Sequence, residues 1–343
     1  MSRKSHDSKP SKTRIPKVKA LSIDDLHIQK VNALSADFAK HVLCGWVGKD
    51  IAKSHFDLFG GDLQPFNIIN SQGDYHGKRQ MLWEFTRKVL GKDTENYAQQ
   101  VGDCVSFGGK NVTEYLQCVQ ISLDGDAQKF RNMFPPYFYG CSRVFIGGGG
   151  MWGDGSSGTW LQAAVRKYGV LAVDDPGVPK YSGGVARQWG GGNGPPQELV
   201  NIGKQHLVKT TAQITNADDA ANALLNGYPI AVCSDWGYNM QASSDGFHAP
   251  RGTWNHCMSI IGFDDSDSSK GLYFIILNSW GDVHGHLKDF ATGVDLPVGV
   301  LRVRGEYVNK MLAEGDSFAF SQFDGFPDNS KKLKEAMFDL IGN

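Results

Sequence analysis

The stretch Gln99-Gln100-Val101-Gly102-Asp103-Cys104 puts a thiol where a glycine-bearing loop is predicted to become a helix. Val105, Val112, Tyr115 and Leu116 give the following residues an apolar face at helical spacing. A thiolate at such a helix start meets unpaired backbone N–H groups and the positive end of the helix dipole, and both favour its charged form. A neighbouring glutamine supplies a side-chain N–H beside the backbone N–H of Cys104, the two donors that an oxyanion hole needs. The chemistry is nucleophilic attack on a carbonyl. The plain alternative is a buried cysteine acting as a small hydrophobe, one of six in the chain.

Two further blocks favour the chemical reading: Asn255-His256-Cys257-Met258-Ser259-Ile260-Ile261-Gly262-Phe263 and Leu277-Asn278-Ser279-Trp280-Gly281. With these the chain resembles the papain-like cysteine peptidases. In that family a Gln/Gly/Cys segment opens the central helix, a His begins a strand ending in Gly-aromatic, and Asn-Ser-Trp-Gly ends the next strand. His256 follows Cys104 by 152 residues, against roughly 130 to 150 for such a cysteine and its distant partners. The resemblance implies Cys104 as nucleophile, His256 as its acid and base, Asn278 as the residue orienting His256, and Trp280 covering that contact. It implies a Cys104 thiolate paired with a protonated His256, and hence fast alkylation of Cys104 below pH 6.

The family places its oxyanion glutamine six residues before the cysteine, where this chain has Ala98. Gln99 and Gln100 are both candidates, and Gln99, which leaves the longer connection, is preferred. Val105 stands where the family usually has Trp, and Asn255 where many members have Asp. The GDCVSFG variant looks more like papain-like proteins of bacteria and their viruses than like secreted or lysosomal enzymes. The glycine run from Gly147 to Gly158 lacks the Gly-Lys-Ser/Thr ending of a phosphate loop. By resemblance, Gly155, Ser156, Ser157 and Gly158 are expected beside the cleft, with backbone that pairs to a substrate as an added strand; Asn255 and Trp280 complete the expected substrate-binding set. Cys257, His284 and His286 show no metal-ligand spacing. Neither metal nor cofactor is expected, and His284 and His286 read as solvated loop residues.

These groups need elements to hold them. Helical spacing is read over 22–45, 78–90, 105–116, 159–168 and 218–225, and strands over 227–233, 258–263, 272–277 and 299–303. Residues 176–197, rich in Gly and Pro, read as loop. Helices therefore precede strands, which agrees with the α+β, two-lobed fold the resemblance implies: a helical left lobe carrying Cys104 and an antiparallel, barrel-like right lobe carrying His256 and Asn278. The expected organisation is a basic arm over 1–20, a helical extension over 21–95 that is propeptide-like or a docking device, a peptidase domain over 96–312 and a C-terminal segment over 313–343.

Composition sets the outer limits. A hydrophobic content of 41% over 343 residues is ample for a core, and a net charge of −1 gives no general footprint for nucleic acid. Residues 1–20 alone carry a surplus of about six positive charges. No apolar run approaches the length of a membrane span, and the first twenty residues lack the apolar core of a secretory signal. The cysteines therefore read as thiols in a cytoplasmic or particle-packaged protein. The expected activity is hydrolysis of peptide bonds in a peptide or protein substrate, with an assembly partner bound through residues 1–95. A papain-like scaffold used structurally, as in a virion, and a peptidoglycan amidase-type thiol hydrolase are the alternatives.

Overall fold

The computed structural model describes residues 43–60, 74–124 and 129–321. The basic arm and nearly all of the helix expected over 22–45 lie outside them. The elements in chain order are α1 (Lys49–Phe59), β1 (Arg79–Met81), α2 (Leu82–Leu90), α3 (Cys104–Asp124), α4 (Pro135–Gly140), a π-helical turn (Cys141–Ile146), α5 (Gly158–Lys167), α6 (Gly183–Gly190), α7 (Gln197–Gly203), β2 (Thr210–Gln213), α8 (Ala217–Leu225), β3 (Ile230–Tyr238), β4 (Pro250–Asp264), β5 (Tyr273–Leu277), β6 (Val300–Arg304), α9 (Gly305–Leu312) and β7 (Phe318–Ser321). The strands form one antiparallel sheet in the order β2-β7-β3-β4-β5-β6, with β1 paired to β4. The α+β architecture is thus present, with α3 packed between β4 of the sheet and the helices α2 and α4.

Helix α3 is the hinge of this arrangement. Val105, Val112, Tyr115, Leu116 and Val119 are buried along it, and its four-residue pair Lys110 and Glu114 is buried too. Lys110 Nζ donates to Glu114 Oε2 at 2.7 Å and to the Glu95 carbonyl at 2.7 Å, while Glu114 Oε1 accepts from the Met133 N–H at 2.8 Å. A buried ion pair is stable only when its remaining valences are filled; here they tie α3 to both flanking loops. Against β4 the helix comes so close that a Cβ on Gly108 would stand 2.7 Å from Cys257 Sγ. That contact sets the start of α3 beside the strand that carries His256.

Several boundaries differ from the sequence reading. The helix expected over 78–90 starts at Leu82, because Arg79, Gln80 and Met81 pair with Asp264, Phe263 and Gly262 of β4. Met81, Leu82, Trp83 and Phe85 are all buried, so residues 79–90 are part of the sheet and its packing, not of a detachable extension ending at 95. The break expected at 313 also falls inside the fold: Phe318–Ser321 pairs with both β2 and β3. Within 176–197, α6 is helical where a loop is expected. Ser182 accepts from the Val185 N–H as its N-cap, and Ala186 and Trp189 are buried, so capping and burial override the weak helix propensity of its glycines.

Candidate active site

Cys104 opens α3 and is fully buried, and His256 on β4 is 1% exposed. The backbone at Gly45 and at Cys257, the residue after His256 on β4, influences the Cys104 thiol. His256 Nε2 bonds Asn278 Oδ1 at 2.8 Å, and its Nδ1, also buried, has no partner. The Trp280 ring lies 4.6 Å from the imidazole, centroid to centroid, and Trp254 packs on Trp280 at 4.8 Å. The aromatic pair keeps water off the His256–Asn278 bond.

His284 is the residue that sequence reasoning missed. It is not a solvated loop histidine but 1% exposed, and its Nε2 sits 2.7 Å from Asn278 Nδ2 while Nδ1 lies 3.2 Å from the Met240 carbonyl. A carbonyl only accepts, so Nδ1 carries the proton and Nε2 accepts from the Asn278 amide. The amide orientation then leaves Asn278 Oδ1 as acceptor, as does the Ser279 N–H that donates to it at 2.7 Å. Hence His256 Nε2 is the donor, and its bare Nδ1 lone pair is the one left without a partner. His286, by contrast, is exposed beside Asp282. The only signal in the sequence was the six-residue step from Asn278 to His284.

Gln99 and Gln100 diverge. Gln99 is fully buried, with Oε1 accepting from the Ser279 hydroxyl at 2.5 Å and Nε2 donating to the carbonyls of Leu43 at 2.6 Å and Val101 at 2.8 Å. Gln100 points to α6, where its Oε1 accepts from the Gly183 N–H at 2.8 Å.

The Leu43 contact belongs to a larger feature: residues 43–47 run across the site. Trp46 pairs with Ser156 as a parallel bridge; the Ser156 N–H donates to the Gly45 carbonyl at 2.8 Å and the Val47 N–H to the Ser156 carbonyl at 3.2 Å. The Trp46 N–H donates to the Asn255 carbonyl at 2.9 Å. Asn255 reaches this position with φ of +45°, a conformation that Asn tolerates better than most residues. Gly45 is wedged so tightly that a Cβ on it would lie 1.9 Å from the Gly102 carbonyl oxygen, and one on Gly155 would lie 2.7 Å from the Gly45 carbonyl oxygen. Of the four residues expected to form the substrate strand, Ser156 supplies the strand pairing and Gly155 the close approach. Ser157 instead caps α5 through the Trp160 N–H and bonds His55 Nδ1 at 2.9 Å, and Gly158 begins α5. Helix α1, which follows the crossing segment, docks on α5 by stacking His55 on Trp160 at 3.9 Å.

The electrostatics differ from the expected ion pair. Burial pushes the Cys104 thiol well above its ordinary value, with the thiols of Cys257 and Cys44 adding to the rise. Burial lowers His256 to about 4, against the opposing effect of Asn278. Burial thus disfavours the charged form of both groups, the thiolate and the imidazolium.

Residues 159–291 match the family model of papain family cysteine proteases; the match spans His256 and Asn278 and begins downstream of Cys104. No curated protein matches the chain. Among solved structures, proCathepsin B S9 from Trypanosoma congolense superposes with a TM-score of 0.53 at 13% identity, covering 86% of this chain and 89% of its own. The digestive procathepsin L2 proteinase from Tenebrio molitor larval midgut gives 0.51 at 14% identity, covering 84% of this chain and 81% of its own. The fold is papain-like, and the stretch that matches the papain family model, residues 159–291, lies within it.

Proposed function

We propose that this chain is a cysteine peptidase held in a latent form by its own residues 43–47. The observation that carries the reading is the bare, buried Nδ1 of His256, presented at the strand against which Cys104 lies while Nε2 is committed to Asn278. Once the crossing segment leaves, water and substrate enter. His256 Nδ1 then takes the Cys104 proton, and the resulting thiolate and imidazolium stabilise each other. The thiolate attacks the peptide carbonyl carbon; the carbonyl oxygen gains the negative charge and is held by Gln99 Nε2 and the Cys104 N–H. Collapse of the tetrahedral species expels the amine, protonated by His256, and leaves a thioester that water hydrolyses with His256 as base. In the latent form the Leu43 carbonyl already holds the Gln99 amide, so the segment blocks the oxyanion donor as well as the thiol. The reading applies to a peptide or protein substrate.

The structures named above are of procathepsins, and the latent form proposed for this chain is of the same kind: residues 43–59 are the inhibitory part, while residues 79–90 stay with the domain. The basic arm over 1–20 is then free to hold an acidic partner by charge, an attachment that salt weakens.

The test is digestion of casein by the intact chain and by a chain lacking residues 1–60. The shortened chain digests casein and its Cys104→Ala version does not. Digestion of muropeptides but not casein would reassign the domain to the amidase class, and a folded shortened chain active on neither would leave the scaffold role.

A further inference from the structure

A cavity of about 550 Å³ opens along the second half of α3, lined there by Thr113, Leu116, Gln117 and Gln120, which the three- and four-residue steps put on one face of the helix. Leu116, with Met133, Val170 and Val208, gives it a buried apolar floor. Its rim is basic: Lys204 and Lys209 are exposed there, and no carboxylate lines it among the described residues. Arg131 also belongs to the lining but is already engaged by Asp174 and Asp175. Gln120 is 5% exposed, and its buried Nε2 has no hydrogen-bond partner among the described residues. A buried donor left without an acceptor is costly. The cavity therefore fits a ligand that brings an apolar ring, negative charge and a carbonyl oxygen.

The chain itself supplies one. β7 runs antiparallel to β2, with Phe318 opposite Gln213 and Ser321 opposite Thr210. The two residues before Thr210 are Val208 and Lys209, and both line the cavity. The described residues thus end at Ser321 with the chain directed toward that lining. The sequence that follows is Gln322-Phe323-Asp324-Gly325-Phe326-Pro327-Asp328, two rings and two carboxylates within a reach of at most about 25 Å. We propose that residues 323–328 dock in this cavity, with Phe323 and Phe326 on the apolar floor and the carboxylates of Asp324 and Asp328 on Lys204 and Lys209. A backbone carbonyl of the docked stretch accepts from Gln120 Nε2. Burial of the rings drives the contact, and the charge pairs fix its register. The tether gives the stretch an effective concentration on the order of millimolar, so a modest affinity is enough. An acidic, aromatic segment of another protein or of a second copy has the same chemistry but not the starting point at Ser321. The inference is independent of the peptidase reading, because neither Cys104 nor His256 lines the cavity.

The test is cross-linking of the full-length chain with a carbodiimide, which joins a lysine directly to a carboxylate in contact with it, read by mass spectrometry. The exposed Lys288–Asp295 pair, 2.7 Å apart, is the internal standard. In the wild-type chain, Lys204 and Lys209 are joined to Asp324 and Asp328 in yields comparable to the standard. The double variant Phe323→Ser with Phe326→Ser keeps the tether and both carboxylates and loses only the rings. Its yield at Lys204 falls at least about tenfold, the scale of removing buried aromatic side chains, while the standard is unchanged. Mixing normal with nitrogen-15-labelled chains identifies the occupant, and links confined to one chain support the inference. Links found only between the two isotopic forms would give the cavity to a second copy and overturn it. No link to Lys204 in the wild-type chain, or an equal yield in the double variant, would make residues 323–328 a mere tethered neighbour, leave the cavity to an acidic segment of another protein, and overturn it as well.

Discussion

At His256 the two ring nitrogens have different surroundings, and the difference is written three residues deep. Met240 fixes the proton of His284, His284 and the Ser279 N–H fix the amide of Asn278, and Asn278 fixes the proton of His256 on Nε2. Residues that orient a functional imidazole from behind typically matter by about ten- to a hundredfold. In the activated enzyme, His284→Leu therefore lowers kcat by about that factor with little change in KM, and His284→Gln, which can still accept from Asn278, recovers much of the loss. A proportional change in KM alone would remove His284 from this chain of contacts. The acid–base prediction has a definite sign. Burial lowers His256 to about 4 and disfavours its cation, so nitrogen NMR at pH 5.5 finds His256 neutral and protonated on Nε2 in the intact chain. Release of the segment admits water and permits the ion pair with the thiolate, which raises His256 and turns the same signal cationic. A cationic His256 in the intact chain would contradict the latent state. Loss of the oxyanion donor in Gln99→Ala lowers turnover by roughly a hundred- to a thousandfold, whereas Gln100→Ala, which removes only a contact to Gly183, leaves it nearly unchanged.

At the scale of elements, the crossing segment and the strand after it have opposite roles although they are close in sequence. Gly45 has no room for a Cβ, and the obstructing Gly102 carbonyl belongs to the loop that sets Cys104. Gly45→Ala therefore lifts the segment, raising Cys104 alkylation about ten- to a hundredfold through an overpacking penalty of about 1–3 kcal/mol. A rate equal to wild type would mean that the segment does not cover the thiol. The extension is separable only as far as α1. Deleting 1–60 leaves β1 and α2 in place, whereas deleting 1–95 strips out Met81, Leu82, Trp83 and Phe85, each buried and each worth about 1.5–3 kcal/mol. Thermal unfolding of the first deletion stays cooperative and that of the second does not; the reverse order would restore the boundary at 95.

Taken whole, the molecule shows which information was local. Cys104, His256, Asn278 and Trp280 sit in short blocks whose residue types state their chemistry, and the helix from Cys104 and the strands through 277 follow from apolar spacing. What the sequence concealed was contact between distant parts. Arg79–Met81 continues an apolar helical pattern but is captured by β4. Phe318–Ser321 has no turn chemistry to pair it with β2, some hundred residues earlier, and belongs to the sheet only because the chain returns there. His284 lies in a polar run and is nevertheless buried, held between Met240 and Asn278. Helix position and a histidine partner favour a thiolate, whereas burial, which the local sequence does not show, pushes the Cys104 thiol up and His256 down. Among the described residues no helix is long and apolar enough to cross a membrane.

The central claim is that Cys104 is an activated nucleophile concealed by residues 43–47. Mass spectrometry of iodoacetamide-treated protein at pH 5.5, comparing the intact chain with one lacking residues 1–60, tests it most directly. The account predicts that Cys104 stays unmodified in the intact chain and becomes the first of the remaining cysteines to be modified in the shortened one. Equal modification of Cys104 in both chains, or a folded shortened chain in which Cys104 reacts no faster than Cys118, Cys141, Cys233 and Cys257, would contradict it.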